Sequence, residues 1–101
     1  MTAFEVRQTE AFASCFEQLR DRQARARILV RISRASLGNL GDVRSVGGGV
    51  VELRGEHGPG YRIYCRRSGD TVLLLLAGGD KRTQVRDIDR SRRLARDLRE
   101  G

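Results

Sequence analysis

The chain opens on an alternation. From Ala3 to Arg7 apolar and polar residues succeed one another, which predicts a short first strand. From Glu10 the period changes to that of a helix: Phe12, Cys15, Phe16 and Leu19 fall on one stripe, with Thr9 as N-cap and an end near Arg20. Asp21 caps a second helix through "RQARARILVRISRASL". Its core face is Ala24, Ile28, Leu29, Ile32 and Ala35, its polar face carries Arg27, Arg31 and Arg34, and Gly38 or Asn39 stops it. Two antiparallel helices follow from this reading.

The stretch "GNLGDVRSVGGG" is rich in turn residues and is expected to be a loop holding a short strand near Val43 to Val46. Three strands come next, "VVELR", "YRIYCRR" and "TVLLLLAG", separated by turn signals at Gly55 to Gly60 and at Ser68, Gly69 and Asp70. They predict an antiparallel meander. Val72 to Leu76 is apolar at every position, as expected of a central strand covered on both sides. Helical spacing resumes over Gln84 to Arg99 through Val85, Ile88, Leu94 and Leu98. The expected fold class is α+β: an antiparallel twisted sheet of four to five strands, an N-terminal helical hairpin packed on one face, and a C-terminal helix.

A chain of 101 residues fits one domain spanning residues 1–101. Twenty Lys and Arg against 13 Asp and Glu give a formal net charge of +7, and both halves share the excess, so no detachable tail explains it. A basic globular surface attracts nucleic acid, anionic lipid or an acidic protein. All the basic residues are arginine except Lys81. Cys15 and Cys65 lie at no metal-like spacing and inside periodic segments, which reads as free buried thiols in a reducing compartment. There is no basic region leading into an apolar run at the start and no apolar segment of spanning length, so a cytoplasmic location without membrane contact is expected.

Strand alternation sorts the candidate chemistry. Tyr61, Ile63 and Cys65 share one face while Arg62, Tyr64 and Arg66 share the other, and Glu52 and Arg54 oppose Val51 and Leu53. Pairing of the two strands brings Arg54, Arg62 and Tyr64 to one face, with Lys81 and Arg82 leaving the next strand nearby. Guanidinium groups there suit phosphate, and Tyr64 is a candidate for stacking on a base. The competing reading is a solvated face whose arginines pair with Glu52, Asp70 and Asp80. His57 in "GEHGPG" is a candidate proton carrier or merely an exposed loop residue. Asp80 reads as a turn former, a partner of Lys81 or an acceptor for a ribose hydroxyl. "AGGDKRT" lacks the spacing of a phosphate-binding P-loop, and no paired Cys-x-x-Cys or H-E-x-x-H motif occurs, so no metal and no cofactor is expected.

Together "GGGVVELRGEHGPGYRIY" and "LLLLAGGDKRTQVRDIDRSRRLA" closely resemble the RelE/ParE toxin superfamily, and more narrowly its Gp49-like, addiction module killer protein group of HigB-like toxins. The opening "FEVRQTEAFASCFEQLRDRQARARILVRI" extends the resemblance over nearly the whole chain. It implies the toxin of a type II toxin-antitoxin pair, held silent by a cognate antitoxin of helix-turn-helix type and reaching operator DNA only through that complex. RelE-like relatives enter the ribosome and cut mRNA without a metal, using the RNA's 2′-hydroxyl as nucleophile and leaving a 2′,3′-cyclic phosphate. By this resemblance Arg62 matches the arginine that stabilises the scissile phosphate, Arg54 a basic position on the preceding strand, and Lys81 or Arg82 the basic position after the apolar strand. His57 joins Arg54, Arg62 and Lys81 as catalytic candidates, and Tyr64, Arg66, Asp80 and Arg82 are candidates for holding RNA. "TQVRDIDRSRR" lacks the C-terminal tyrosine or histidine of several RelE-like toxins, which leaves the acid and base open among His57, Tyr64, Lys81 and Asp80. The ParE branch, whose members act on DNA gyrase without cutting RNA, is the alternative, and a relative that only binds its antitoxin is a third.

Overall fold

A computed structural model describes residues 3–55 and 60–98. The elements in chain order are β1 (Glu5–Gln8), α1 (Glu10–Glu17), α2 (Arg22–Ser36), β2 (Val43–Gly47), β3 (Val50–Arg54), β4 (Arg62–Ser68), β5 (Val72–Gly79), a 3-10 turn at Lys81–Thr83, and α3 (Gln84–Asp97). This is the expected α+β arrangement of helical hairpin, sheet and C-terminal helix. The strands form one sheet in the order β1-β5-β4-β3-β2. From β2 to β5 every pairing is antiparallel, as the meander requires, but β1 runs parallel to β5. The edge strand lies beside the last strand rather than the next one, so only a crossover through the intervening chain can join them. The apolar strand β5 is therefore interior, while β4 takes the central place.

Local signals explain the helix ends. Asp21 accepts from the backbone N–H of Gln23 and Ala24 at 3.0 and 3.3 Å. At the other end of α2, Gly38 has φ +94° and its N–H reaches the Ala35 carbonyl, while Asn39 N–H reaches that of Arg34. That pair of bonds is a Schellman cap, which needs the left-handed conformation glycine adopts cheaply. Thr9 has two tasks. Its Oγ1 accepts from Phe12 N–H at 3.1 Å, capping α1, and lies 3.0 and 2.9 Å from the carbonyl oxygens of Leu75 and Leu76.

Those carbonyls belong to a bulge. Tyr64 pairs with Ala77 and Cys65 with Leu75, so Leu76 is an extra residue on β5. The bulge reverses the face alternation beyond it. Leu73 and Leu75 join Phe12, Ala35, Leu53, Ile63 and Cys65 under the helical hairpin, whereas Leu76 and Ala77 both pack on the opposite face with Val50, Tyr64 and Ala95. Helix α3 covers that second face through Ile88, Leu94 and Ala95. The run Val72 to Leu76 is thus covered on both sides, and a fully buried leucine such as Leu76 contributes on the order of 2 kcal/mol.

Two expectations for α2 fail. Leu29 is 55% exposed rather than in the core. Arg31 turns inward instead of facing solvent, donating to the carbonyls of Leu40, Asp42 (3.0 Å) and Arg54 (3.2 Å) and so fastening the loop before β2 to the hairpin. Carbonyls with a free lone pair where the chain enters and leaves the sheet provide the acceptors that draw it in; that of Asp42 also accepts the Arg54 N–H at 3.0 Å. Among the described residues no helix is long and apolar enough to cross a membrane.

Candidate arginine cluster around Glu52

The pairing of β3 with β4 places Arg54 directly opposite Arg62 and Glu52 directly opposite Tyr64. On the other side of β3, Arg44 of β2 is the register partner of Glu52. Two arginines facing each other repel, and a carboxylate one pair away on the same face is what makes the arrangement tenable. All of these side chains lie on the α3 face of the sheet.

Glu52 is the centre of the cluster. It has no exposed surface, yet one oxygen, Oε1, lies 3.1 Å from Arg54 Nε and 3.5 Å from Arg44 Nη2. The other, Oε2, accepts from Tyr64 Oη at 3.1 Å and from Gln84 Nε2 at 2.8 Å, with Arg62 Nε at 3.5 Å. Burial pushes the Glu52 carboxyl up, but hydrogen bonds from Gln84, Arg54 and Tyr64 and the charge of Arg44 outweigh it, and the net direction is down. Glu52 is therefore a fixed anion that orients arginines.

Arg62 is the most enclosed of the three, its side chain 12% exposed against 34% for Arg54 and 51% for Arg44. Its Nη1 donates to the Gly60 carbonyl at 2.7 Å, while its Nε is buried without a hydrogen-bond acceptor. A side chain at Gly60 would meet Arg62 Nη1 at 3.1 Å and Lys81 Cβ at 3.8 Å, so the Lys81 side chain starts beside the glycine that Arg62 grips. Lys81 is exposed and forms no ion pair among the described residues.

The turn that delivers Lys81 is built around Asp80. Its carboxylate accepts from Arg82 N–H at 2.8 Å and Thr83 N–H at 3.3 Å, and Thr83 Oγ1 in turn accepts from Asp80 N–H at 3.3 Å, a capping box. Arg82 also pairs with Asp80, its Nη2 2.9 Å from Oδ2. The bond to Arg82 leads in drawing the Asp80 carboxyl down. Gly79 admits no side chain here: a Cβ would lie 1.9 Å from Asp87 Oδ2 and 2.5 Å from Thr83 Oγ1. Because of the bulge, Gly79 faces α3, and the absence of a side chain lets the buried Asp87 and the cap pack against the strand.

The expected site residues thus divide. Arg54 and Arg62 lie opposite each other, and Lys81 starts from the turn beside Gly60. Tyr64 is fully buried, its hydroxyl bound to Glu52, and so has no ring face to offer a base; burial, followed by the Glu52 charge, raises its pKa. Asp80 is occupied by its cap and by Arg82 rather than by Lys81. Arg82 is nearby, 87% exposed, and already paired. Arg66 lies four residues along β4 from Arg62 and donates to the Ala95 carbonyl at 2.6 Å, away from the cluster. His57 lies outside the described residues. Of the carboxylates named as neutralising partners, Glu52 and Asp80 do pair, but Glu52 serves three arginines at once. Its importance had one legible sign, an acidic residue in the otherwise apolar "VVEL" on the same face as Tyr64. Gln84 and Arg44 carried none.

Three arginines, Arg44, Arg54 and Arg62, thus surround one carboxylate, and Lys81 starts from the adjoining turn. The excess positive charge, presented as guanidinium forks, fits a phosphoryl group and can offset charge that grows on it. A groove of about 360 Å³ adjoins the cluster on the hairpin side, lined in part by Ile28, Leu53, Arg54, Tyr61 and Ile63.

No family model matches the chain. A chain in the crystal structure of the toxin-antitoxin complex RelBE2 from Mycobacterium tuberculosis is similar in structure, with a TM-score of 0.50 and 19% identity over 79% of this chain and 100% of that one. At that identity the likeness is one of fold, and the fold is RelE-like. An uncharacterized protein of Haemophilus influenzae is 40% identical over 94 residues, 93% of this chain and 95% of that protein. By that similarity the chain belongs to the same family as the Haemophilus influenzae protein, a family whose fold, seen here, is RelE-like.

Proposed function

We propose that the protein is the toxin of a type II toxin-antitoxin system, of HigB-like type, and acts in the cytoplasm as a ribosome-dependent mRNA endoribonuclease. The observation that carries this is the placing of Arg54 and Arg62 beside a buried carboxylate that fixes the arginines without cancelling them, with Lys81 on the adjoining turn. The RelE-like fold, found in a chain of a toxin-antitoxin complex, supports it, and an antitoxin is the proposed partner.

In this reading the RNA 2′-oxygen attacks the adjacent phosphorus as the bond from phosphorus to the 5′-oxygen breaks, leaving a 2′,3′-cyclic phosphate and a 5′-hydroxyl. Arg62 and Lys81 face the phosphoryl oxygens, where charge accumulates, and Arg54 supports them. The 2′-hydroxyl gives up a proton and the 5′-oxygen takes one. Tyr64 holds its proton too tightly for this exchange and Asp80 is locked in its cap. We assign the exchange to His57, an imidazole that the sequence places five residues before Arg62.

Mapping mRNA 5′ ends in a reconstituted translation system tests this, with wild type set against Arg62→Ala and Lys81→Ala proteins of unchanged circular dichroism. New ends that require ribosomes and vanish in both variants are expected. Messages left intact by wild type, together with loss of gyrase supercoiling, would replace the nuclease with the ParE-like reading.

A further inference from the structure

A second concentration of positive charge lies at the opposite end of β4. Arg66 and Arg67 of that strand and Arg92 and Arg96 of α3 line an open basin of about 530 Å³, floored by the glycine turns at Gly48 and Gly69. No carboxylate lines it, and among the described residues none of the four forms an ion pair. The arginines around Glu52 share a counter-charge; these have none.

Arg67, the register partner of Leu73, turns its guanidinium to the hairpin face of the sheet, where its carbon lies 5.1 Å from the centre of the Phe4 ring, so three guanidinium groups are left to the basin. Two of the three are held in place. Arg66 Nη1 donates to the Ala95 carbonyl at 2.6 Å. Arg92 lies along the turn before β3, where a Cβ at Gly47 would come within 3.4 Å of its Cζ. Compensation of the α3 C-terminus explains part of this, since Arg96 is in the last turn and Arg66 binds a terminal carbonyl. A helix end carries only about half an elementary charge, however, and three guanidinium groups far exceed it.

We propose that the basin is a second RNA-docking surface, holding the sugar-phosphate backbone of a structured RNA through Arg66, Arg92 and Arg96. Planar forks suit phosphate oxygens. Ala95 is the one apolar side chain in the lining, so a peptide would find nothing to anchor a large apolar residue, as protein interfaces require. Arg62 and Arg66 are four residues apart on one strand, roughly 13 Å, so the basin binds a different part of the RNA from the scissile phosphate. The proposal rests on the preceding reading only in taking RNA as the polyanion.

The test is fluorescence anisotropy of a labelled RNA hairpin titrated with the full chain across a potassium chloride series. Arg92→Glu/Arg96→Glu should lower affinity by at least about 10-fold and flatten the slope of log K against log salt by about 2. The control Arg90→Glu/Arg93→Glu makes the same charge change at exposed α3 positions that do not line the basin and should cost much less. Arg92→Gln/Arg96→Gln serves if charge reversal unfolds the chain. Equal losses in both double variants would reduce the effect to a general field and overturn the proposal, as would unchanged hairpin binding in the basin variant. Loss of poly-glutamate binding with hairpin binding retained would make the basin a protein surface instead. Hairpin binding that survives while wild type leaves messages uncut would refute the nuclease reading alone.

Discussion

Replacing Glu52 by glutamine changes one atom and tests the whole cluster. Each carboxylate oxygen faces only donors in the native structure. Arg54 and Arg44 approach Oε1, and Tyr64, Gln84 and Arg62 approach Oε2. An amide must turn its NH2 toward one set. The tolerable choice is the second, because the Tyr64 hydroxyl can rotate to accept and the Gln84 amide can flip, and Arg62 then loses its counter-charge and keeps only the Gly60 carbonyl. A hydrogen bond to a charged acceptor is worth roughly 1 kcal/mol more than a neutral one. Three such bonds weaken here. Attraction to Arg44 and Arg54 is discounted because both reach solvent. The expected loss is about 2 kcal/mol for Glu52→Gln, rising to roughly 3–5 kcal/mol for Glu52→Ala, which leaves the enclosed Arg62 without a counter-charge and Tyr64 and Gln84 without an acceptor.

For a domain of this size a loss of about 2 kcal/mol lowers Tm by on the order of 10 °C, readily seen by circular dichroism. The pH dependence sharpens the test. The Glu52 carboxyl is held below its ordinary value of 4.5, so its contribution is complete above that value and is lost as pH falls through the lower folded one. The gap in Tm between wild type and Glu52→Gln should be widest near neutrality and close in acid. A Tm unchanged at pH 7, or a gap that persists undiminished well below pH 4.5, would refute the claim that Glu52 is an ionised hub.

Gly79→Ala should cost about 1–3 kcal/mol, seen as a lower urea midpoint at constant m, because the new methyl overlaps Asp87 and Thr83; a neutral substitution would mean that the cap is not tight. Asp80→Ala removes two backbone acceptor contacts at the start of the Lys81 turn and should lower stability by about 1 kcal/mol. Burial pushes the Cys65 thiol up to about 12, whereas Cys15 is only half buried. A thiol-disulfide reagent at pH 8 should therefore titrate one thiol per native chain and two after denaturation.

Much of this fold is legible in the chain because its signals are local. Thr9, Asp21 and Gly38 mark helix ends by their own chemistry, and the unbroken apolar run in β5 announces cover on two sides. The exceptions depend on distant partners. No residue near β1 says that it will lie parallel to a strand more than sixty positions away. The bulge at Leu76 is equally silent, since five apolar residues look alike whichever face they take, yet it decides that Gly79 meets α3. Arg31 was assigned outward by helical spacing, but carbonyls from the loop before β2 and the end of β3 drew it in. At the site, alternation correctly brought Arg54 and Arg62 to one face. It also put Tyr64 there and could not say that this face lies beneath a helix at that point, which is why a ring expected to stack on RNA is instead buried against Glu52.

The position of Glu52 also bears on why the cluster exists. An apolar residue at an interior strand position would serve stability better, since a buried ion pair repays its desolvation only with good geometry. The three arginines have no need of a buried partner for solubility, because two of them reach water unaided. What Glu52 supplies is direction. Without it Arg54 and Arg62, facing each other across two strands, would repel and turn apart toward solvent; with it they stay side by side. A carboxylate placed where the core would prefer leucine, holding like charges together at the end of a sheet, is what the proposed anion site would require of this strand.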